Sequence, residues 1–207
     1  MKKTTILVLS LAVALVASCA AMVSSDQQYA VQALAMMKTS FKERGQAKLD
    51  RLDQDDMQRS CSQYAEKAPP KDVADKLEKA QQALIKYPVD GKYLGDWKSG
   101  ERIAQSGQGK QFNDDPARPN GANCYACHQL SKAELSFGSI GPTLYNFGKI
   151  RGFTPEMQKY AYSKVYNSQA FSACSNMPRF GHAGILTEAQ IKDVVALLMD
   201  PDSPINK

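Results

Sequence analysis

The sequence predicts an all-α protein with long loops. Three observations carry this expectation: apolar residues recur at helical spacing in separate segments, no stretch alternates apolar and polar as a strand would, and glycine- and proline-bearing segments break the chain between the helices. There is no internal repeat and no low-complexity tract. With 207 residues, the first twenty or so reading as a targeting segment, the chain has room for one core plus an extension.

Taken in order, the chain begins with Lys2 and Lys3, an apolar run from Ile6 to Val16 and then small residues, which is the pattern of a bacterial secretory signal. The run is too short to cross a bilayer as a mature helix. Two cleavage routes fit residues 1–20. Val16-Ala17-Ser18-Cys19 matches a lipoprotein signal that would leave Cys19 as a lipidated N-terminus, tethering the protein without spanning the membrane; Ser18-Cys19-Ala20 matches ordinary cleavage after Ala20. Either way the mature chain is expected in the periplasm. No later segment is apolar enough for a transmembrane helix.

Residues 21–95 read as a helical extension, not an independent domain. Val31, Leu34 and Ala35 begin an apolar stripe at helical period, whereas Arg44 to Gln63 is so polar that it is either an exposed helix or a connector. A clearer helix follows, with Pro70 in its first turn and Val73, Leu77, Ala80 and Leu84 on one face until Pro88 stops it. From residue 96 the character changes. Ser99 to Ala104 reads as a short helix, and Gln105 to Asn123 is an irregular stretch rich in Gly, Pro, Asn and Asp. The aromatics Tyr145, Phe147, Phe153, Tyr160, Tyr162 and Tyr166 are core or the walls of an apolar pocket. The last helix is the best marked: Thr187 and Gln190 form a capping box, Ile191, Val194, Val195 and Leu198 make an apolar face, and Asp200-Pro201 ends it.

The net charge of +5 includes Lys2 and Lys3, so the mature chain keeps only a modest positive balance, interleaved with acids in runs such as Lys42-Glu43-Arg44. No nucleic-acid footprint is present. Membrane contact is expected only through a lipid at Cys19.

The chemistry is concentrated in Cys124-Tyr125-Ala126-Cys127-His128. A zinc site of the common kind needs a second ligand pair, and Cys174 and His182 do not form one. A thioredoxin-like dithiol belongs in a βαβ unit, which this chain lacks. The pentapeptide matches c-type haem attachment in full: two thiols spaced to add to the haem vinyl groups and an imidazole beside them to take the iron. Cys124 and Cys127 are therefore read as thioether donors to one covalent haem c and His128 as the proximal ligand. For the distal position Met177, in the irregular Asn176-Met177-Pro178 loop, is the first candidate and His182 the rival; Met157 and Met199 sit in helices. A His/Met pair favours the reduced state. Once haem consumes one pair of cysteines, Cys61 and Cys174 remain, and in an oxidising compartment they read most simply as a disulfide; two separate buried thiols are the alternative.

Four segments then resemble a known family. Gly121 to His128, Gly138-Ser139-Ile140-Gly141-Pro142-Thr143-Leu144, and Asn176-Met177-Pro178-Arg179-Phe180-Gly181 with the closing Asp200-Pro201-Asp202-Ser203-Pro204-Ile205-Asn206 are together similar to SoxX, the monohaem cytochrome c subunit of the sulfur-oxidising SoxAX complex, over roughly residues 96 to 206. The resemblance implies a class I cytochrome c fold over 96–207. It implies a SoxA-like partner bearing the catalytic cysteine, a SoxYZ-type carrier whose cysteine receives thiosulfate, and a downstream cytochrome acceptor. This chain would be the electron-accepting subunit of a heterodimeric L-cysteine S-thiosulfotransferase, not catalytic alone. The resemblance also implies Met177 as distal ligand, the Pro142 carbonyl as acceptor for the proximal imidazole N–H, and Arg179 near a haem propionate. A free-standing diffusible electron shuttle is the alternative function, and a haem peroxidase, needing an open iron position, a third.

Overall fold

The computed structural model describes residues 25–207. The signal segment 1–20 and the cleavage or lipidation point at Cys19 lie outside the described residues. The chain divides into two compact units, one ending at Glu43 and the other running from Arg44 to Lys207.

The first unit contributes one described helix, α1 (Ser25–Ser40), closed near its end by Lys38 and by the Thr39 hydroxyl donating to the Ala35 carbonyl at 3.0 Å. The stripe begun by Val31 and Leu34 does form a helix, but both side chains are exposed.

The second unit is helical, with a single isolated bridge between Arg44 and Ala47 among its described residues. Its helices are α2 (Asp56–Gln63), α3 (Lys71–Gln82), α4 (Trp97–Gln105), α5 (Phe147–Arg151), α6 (Pro155–Tyr166) and α7 (Glu188–Met199), with 3-10 turns at Leu49–Leu52, Cys124–Ala126, Ser168–Ala170 and Pro204–Asn206. An all-α fold is thus what the chain adopts.

The core is built on α7, which packs on α4 and α6. The Thr187/Gln190 capping box starts α7. Its burial exceeds the face read from spacing: besides Ile191, Val194, Val195 and Leu198, the side chains of Ala196, Leu197 and Met199 are also buried. A helix covered on nearly all sides needs a close neighbour, and Gly100 of α4 supplies it, since a Cβ there would overlap the Asp193 carbonyl. Each fully buried Ile, Val or Leu stabilises the fold by roughly 1.5–3 kcal/mol.

The chain end folds back to finish α7. Buried Asn206 donates its amide to the carbonyls of Leu198 (3.1 Å) and Asp200 (2.9 Å) and accepts from the Gly148 N–H at the head of α5 (3.0 Å). Asn206→Ala would leave these groups without partners in a dry site and is expected to cost about 3 kcal/mol, read as a lowered denaturant midpoint with an unchanged slope. A loss under about 0.5 kcal/mol, the size of an ordinary surface change, would contradict this role.

Composition placed the edge of the haem domain at 95/96, but the compact unit already begins at Arg44 because residues 44–95 pack on it. Arg51 donates to the Lys110 carbonyl (2.6 Å), Gln46 to the Asp114 carbonyl (3.2 Å), and Tyr162 of α6 to the Lys86 carbonyl (3.2 Å). The polar stretch Arg44 to Gln63 contains a proper helix after all. Asp55 and Gln58 form a capping box at the head of α2, and Met57 is buried at 2 % exposure. Helix α3 shows only part of the face its apolar residues suggested: Val73 and Leu77 are half-buried, but Ala80 and, just past the helix, Leu84 are exposed, whereas Gln81 and Ile85 are buried. Polar partners explain the difference, because Glu78, Gln81 and Gln82 all bond the loop that follows α6.

The Cys61–Cys174 disulfide is present, its Cα atoms 5.3 Å apart within the usual range. It joins α2 to that same loop across 113 positions of sequence. For a loop of that length the chain-entropy account gives roughly 5 kcal/mol at most.

Candidate functional site

The attachment turn is assembled locally. Asn123 caps it by accepting the Ala126 N–H (3.1 Å), and the His128 N–H donates to the Cys124 carbonyl (2.9 Å), winding Cys124, Cys127 and His128 into one tight turn. Tyr125, between the cysteines, is buried and donates to Glu101 of α4 at 2.9 Å, which fastens the turn to the core. Burial, then the Glu101 carboxylate, push the Tyr125 phenol well above its ordinary range, so it stays a donor.

The segment after the turn wraps back over the histidine. The Gly138 N–H donates to the Tyr125 carbonyl (2.8 Å) and the Gly141 N–H to the Cys127 carbonyl (2.8 Å). His128 Nδ1 lies 2.7 Å from the Pro142 carbonyl. A carbonyl can only accept, so Nδ1 carries the proton and Nε2 keeps the lone pair a metal would need. Gly141 sits against the ring, and a Cβ there would overlap its Cε1, Nδ1 and Nε2 atoms.

These groups line a cavity of about 850 Å³ whose wall is mainly apolar. Its lining includes Cys124, Cys127 and His128, Tyr160 and Val165 of α6, Leu198 of α7, and Met177 of the loop between these two helices. The volume is that of a cofactor site. Both thiols are free, and burial, with the neighbouring Cys127 second, pushes the Cys124 thiol up to about 12. A redox dithiol needs the opposite shift. Among the described residues no three His, Cys, Asp or Glu side chains gather as a metal site. Two free thiols at CxxCH spacing, an oriented imidazole, a thioether and a cradle that tolerates only glycine beside the ring all fit a covalent haem.

Of the distal candidates, Met177 borders the cavity. His182 does not, and Met199 is fully buried in the core. The Met177 carbonyl accepts from the Ser168 hydroxyl and its N–H donates to the Ser175 hydroxyl (3.2 Å), so the loop is fixed at Met177 itself.

Arg179, expected near a propionate, is directed elsewhere. Its guanidinium bonds Asp55 (2.5 Å) and Gln81 (3.2 Å), and it is absent from the cavity wall. The resemblance begins only near residue 96; the Asp55 that captures this arginine belongs to the extension. Lys164 of α6 was missed and does border the cavity, its ammonium donating to the Ser168 carbonyl (3.2 Å) with Phe171 beside it; burial holds it below its ordinary value. Nothing in the sequence distinguishes it from other helix lysines. Of the aromatic series, Tyr145, Phe147 and Tyr160 face the cavity while Tyr162 and Tyr166 are core.

Asp55 and His182 give this region a defined acid response. Partial burial opposes ionisation of Asp55, but the Gln58 N–H and Arg179 outweigh it and hold the carboxyl below 3.8. That stabilisation is present above the unfolded value and lost as pH falls through the lowered one. Burial, then Arg179, hold His182 below 6.5, so the fold disfavours its protonated form and loses stability as pH drops from 6.5 toward the lowered value. The melting temperature of the holoprotein is expected to fall in two stages, with His182→Asn removing the first and Asp55→Asn the second. A profile flat from pH 7 to pH 5 would contradict the His182 part.

The fold and this site together fit a c-type cytochrome. The family model for cytochrome c matches residues 108–200. A protein of Aquifex aeolicus (strain VF5), described as an uncharacterized lipoprotein, is 38% identical over 213 residues, with 100% of both chains aligned. Residues 108–200 are thus a cytochrome c domain, and the chain is homologous along its whole length to that Aquifex protein. A cytochrome c domain implies covalently bound haem c and a role in electron transfer. No described helix is long and apolar enough to cross a membrane.

Proposed function

We propose that the chain is a monohaem cytochrome c in which His128 and Met177 ligate the iron and whose task is to take electrons from a partner subunit. The observation that carries this is the placement of Cys124, Cys127, His128 and Met177 around one apolar cavity of about 850 Å³. Haem supplies a one-electron centre when bound there. The protein's residues do the rest. Pro142 holds the imidazole proton, Gly141 leaves room for the ring, and Met177 would offer the iron a thioether, which favours the reduced state. Tyr160, Val165 and Leu198 line the cavity against water, and Lys164, on the same wall, would offer a propionate the cation first expected of Arg179. With two protein ligands the iron would be closed to peroxidase chemistry.

The finer reading is that the partner is SoxA-like and that the pair couples thiosulfate to a cysteine of a SoxYZ-type carrier in the periplasm, the electrons passing on to a further cytochrome. Support comes from the four motif segments that resemble SoxX. A second support is the cysteine inventory: with Cys61 and Cys174 paired and Cys124 and Cys127 committed to haem, no thiol is left among the described residues to hold a persulfide. The sulfur chemistry then belongs to the partner. Tethering through Cys19 is consistent with the description of the Aquifex relative as a lipoprotein.

The test is thiosulfate-dependent haem reduction by the mature chain with a SoxYZ-type carrier, with and without a SoxA-like protein. Reduction only with the partner is expected. No reduction in either mixture, with haem intact, would leave a free-standing shuttle with another donor.

A further inference from the structure

We propose that residues 55–82 form a clasp that holds Met177 in place for the iron by gripping the Met177 loop on both flanks. This rests on the His128/Met177 reading above. The loop from Asn167 to the start of α7 is long and, apart from the turn at Ser168–Ala170, irregular, the kind of segment that ordinarily samples several conformations. A thioether is a weak, neutral donor. Its hold on a metal depends on how little the loop gains by moving away.

The extension removes that freedom. Before Met177, Asn167 donates to the Gln81 side-chain oxygen (3.0 Å), Gln82 donates to the Ala170 carbonyl (2.8 Å), the Ala173 N–H donates to Glu78 (2.9 Å), and Cys174 is bonded covalently to Cys61. After Met177, Arg179 donates to Asp55 and to the same Gln81 oxygen (3.2 Å). Gln81 is 7 % exposed, and one buried oxygen therefore receives a donor from each flank. Shielding from water strengthens such bonds and raises the cost of breaking one alone. Asp55 has a double duty, since its carboxylate also caps α2. The extension is thus a positioning element for the distal ligand: it touches neither cofactor nor substrate and acts through the loop.

The experiment measures binding of imidazole to the ferric holoprotein, a reaction that requires Met177 to leave. Three forms with altered clasps are compared with the unaltered protein: Asp55→Asn, which keeps a capping side chain but removes the charge facing Arg179; Gln81→Met, which keeps the volume and removes the shared acceptor; and the paired Cys61→Ser, Cys174→Ser change. Asn206→Ala, destabilising at the far end of α7, is the control for lost stability alone. Each altered clasp is expected to bind imidazole about tenfold faster, with a weakened methionine-to-iron band, while Asn206→Ala keeps the original rate. Unchanged rates in all three, or equal acceleration in Asn206→Ala, would overturn the clasp. If the unaltered protein lacks the methionine band, the ligand reading itself fails and the clasp with it.

Discussion

Met177→Ala is expected to leave haem covalently attached, lower the reduction potential and open the iron to small ligands. The attachment depends on Cys124 and Cys127, both on the turn that Asn123 caps, and none of the bonds shaping that turn involves Met177. The methionine contributes one thioether on a loop held from elsewhere. On the proposed ligation, losing it removes a thioether that favours the ferrous state, and a fall on the order of 100 mV is expected within the ≈0.8 V that axial ligation spans. Potentiometric titration checks the size and sign. An unchanged spectrum and potential would transfer the distal role to another residue, His182 first, although His182 lies off the cavity wall and would require its segment to move.

Gly141→Ala is expected to be as damaging as a change in a ligand. The added methyl group would occupy the space of three atoms of the His128 ring, while the Pro142 carbonyl one residue on holds that ring by its Nδ1 proton. The ring cannot yield without losing this bond, and the Gly141 N–H is itself tied to the Cys127 carbonyl. Strain of this kind commonly costs 1–3 kcal/mol, so the yield of holoprotein from a cytochrome c maturation host should drop about tenfold or more. Haem content per polypeptide, from mass and absorbance together, decides it. Gly141→Ala protein with full haem loading and the spectrum of the original would mean that the segment can shift at little cost.

How much of this was legible beforehand varies with the physical origin of each feature. The CxxCH turn could be read because attachment demands adjacent residues at fixed spacing. The α7 capping box and apolar face were visible because caps and helical period are local, and the cysteine count pointed to Cys61 and Cys174 by subtraction. The α3 face was read only in part because its inner side includes half-buried Glu78 and buried Gln81, whose polar groups are satisfied only once Ala173, Asn167 and Arg179 arrive to bond them. Those partners lie 86 to 98 positions away. The fate of Arg179 was hidden for the same reason, since the Asp55 that captures it is 124 positions distant. The chain end was noticed as part of a resemblance, yet the structure gives its Asn206 a structural task, capping α7 and joining it to α5.

The most direct test of the central claim is the visible spectrum of the ferric, haem-loaded chain beside that of Met177→Ala. A low-spin spectrum with a methionine-to-iron charge-transfer band at the red edge, absent from Met177→Ala, is the predicted result. A high-spin spectrum, or a low-spin spectrum that Met177→Ala leaves untouched, would contradict a His128/Met177 electron-transfer centre.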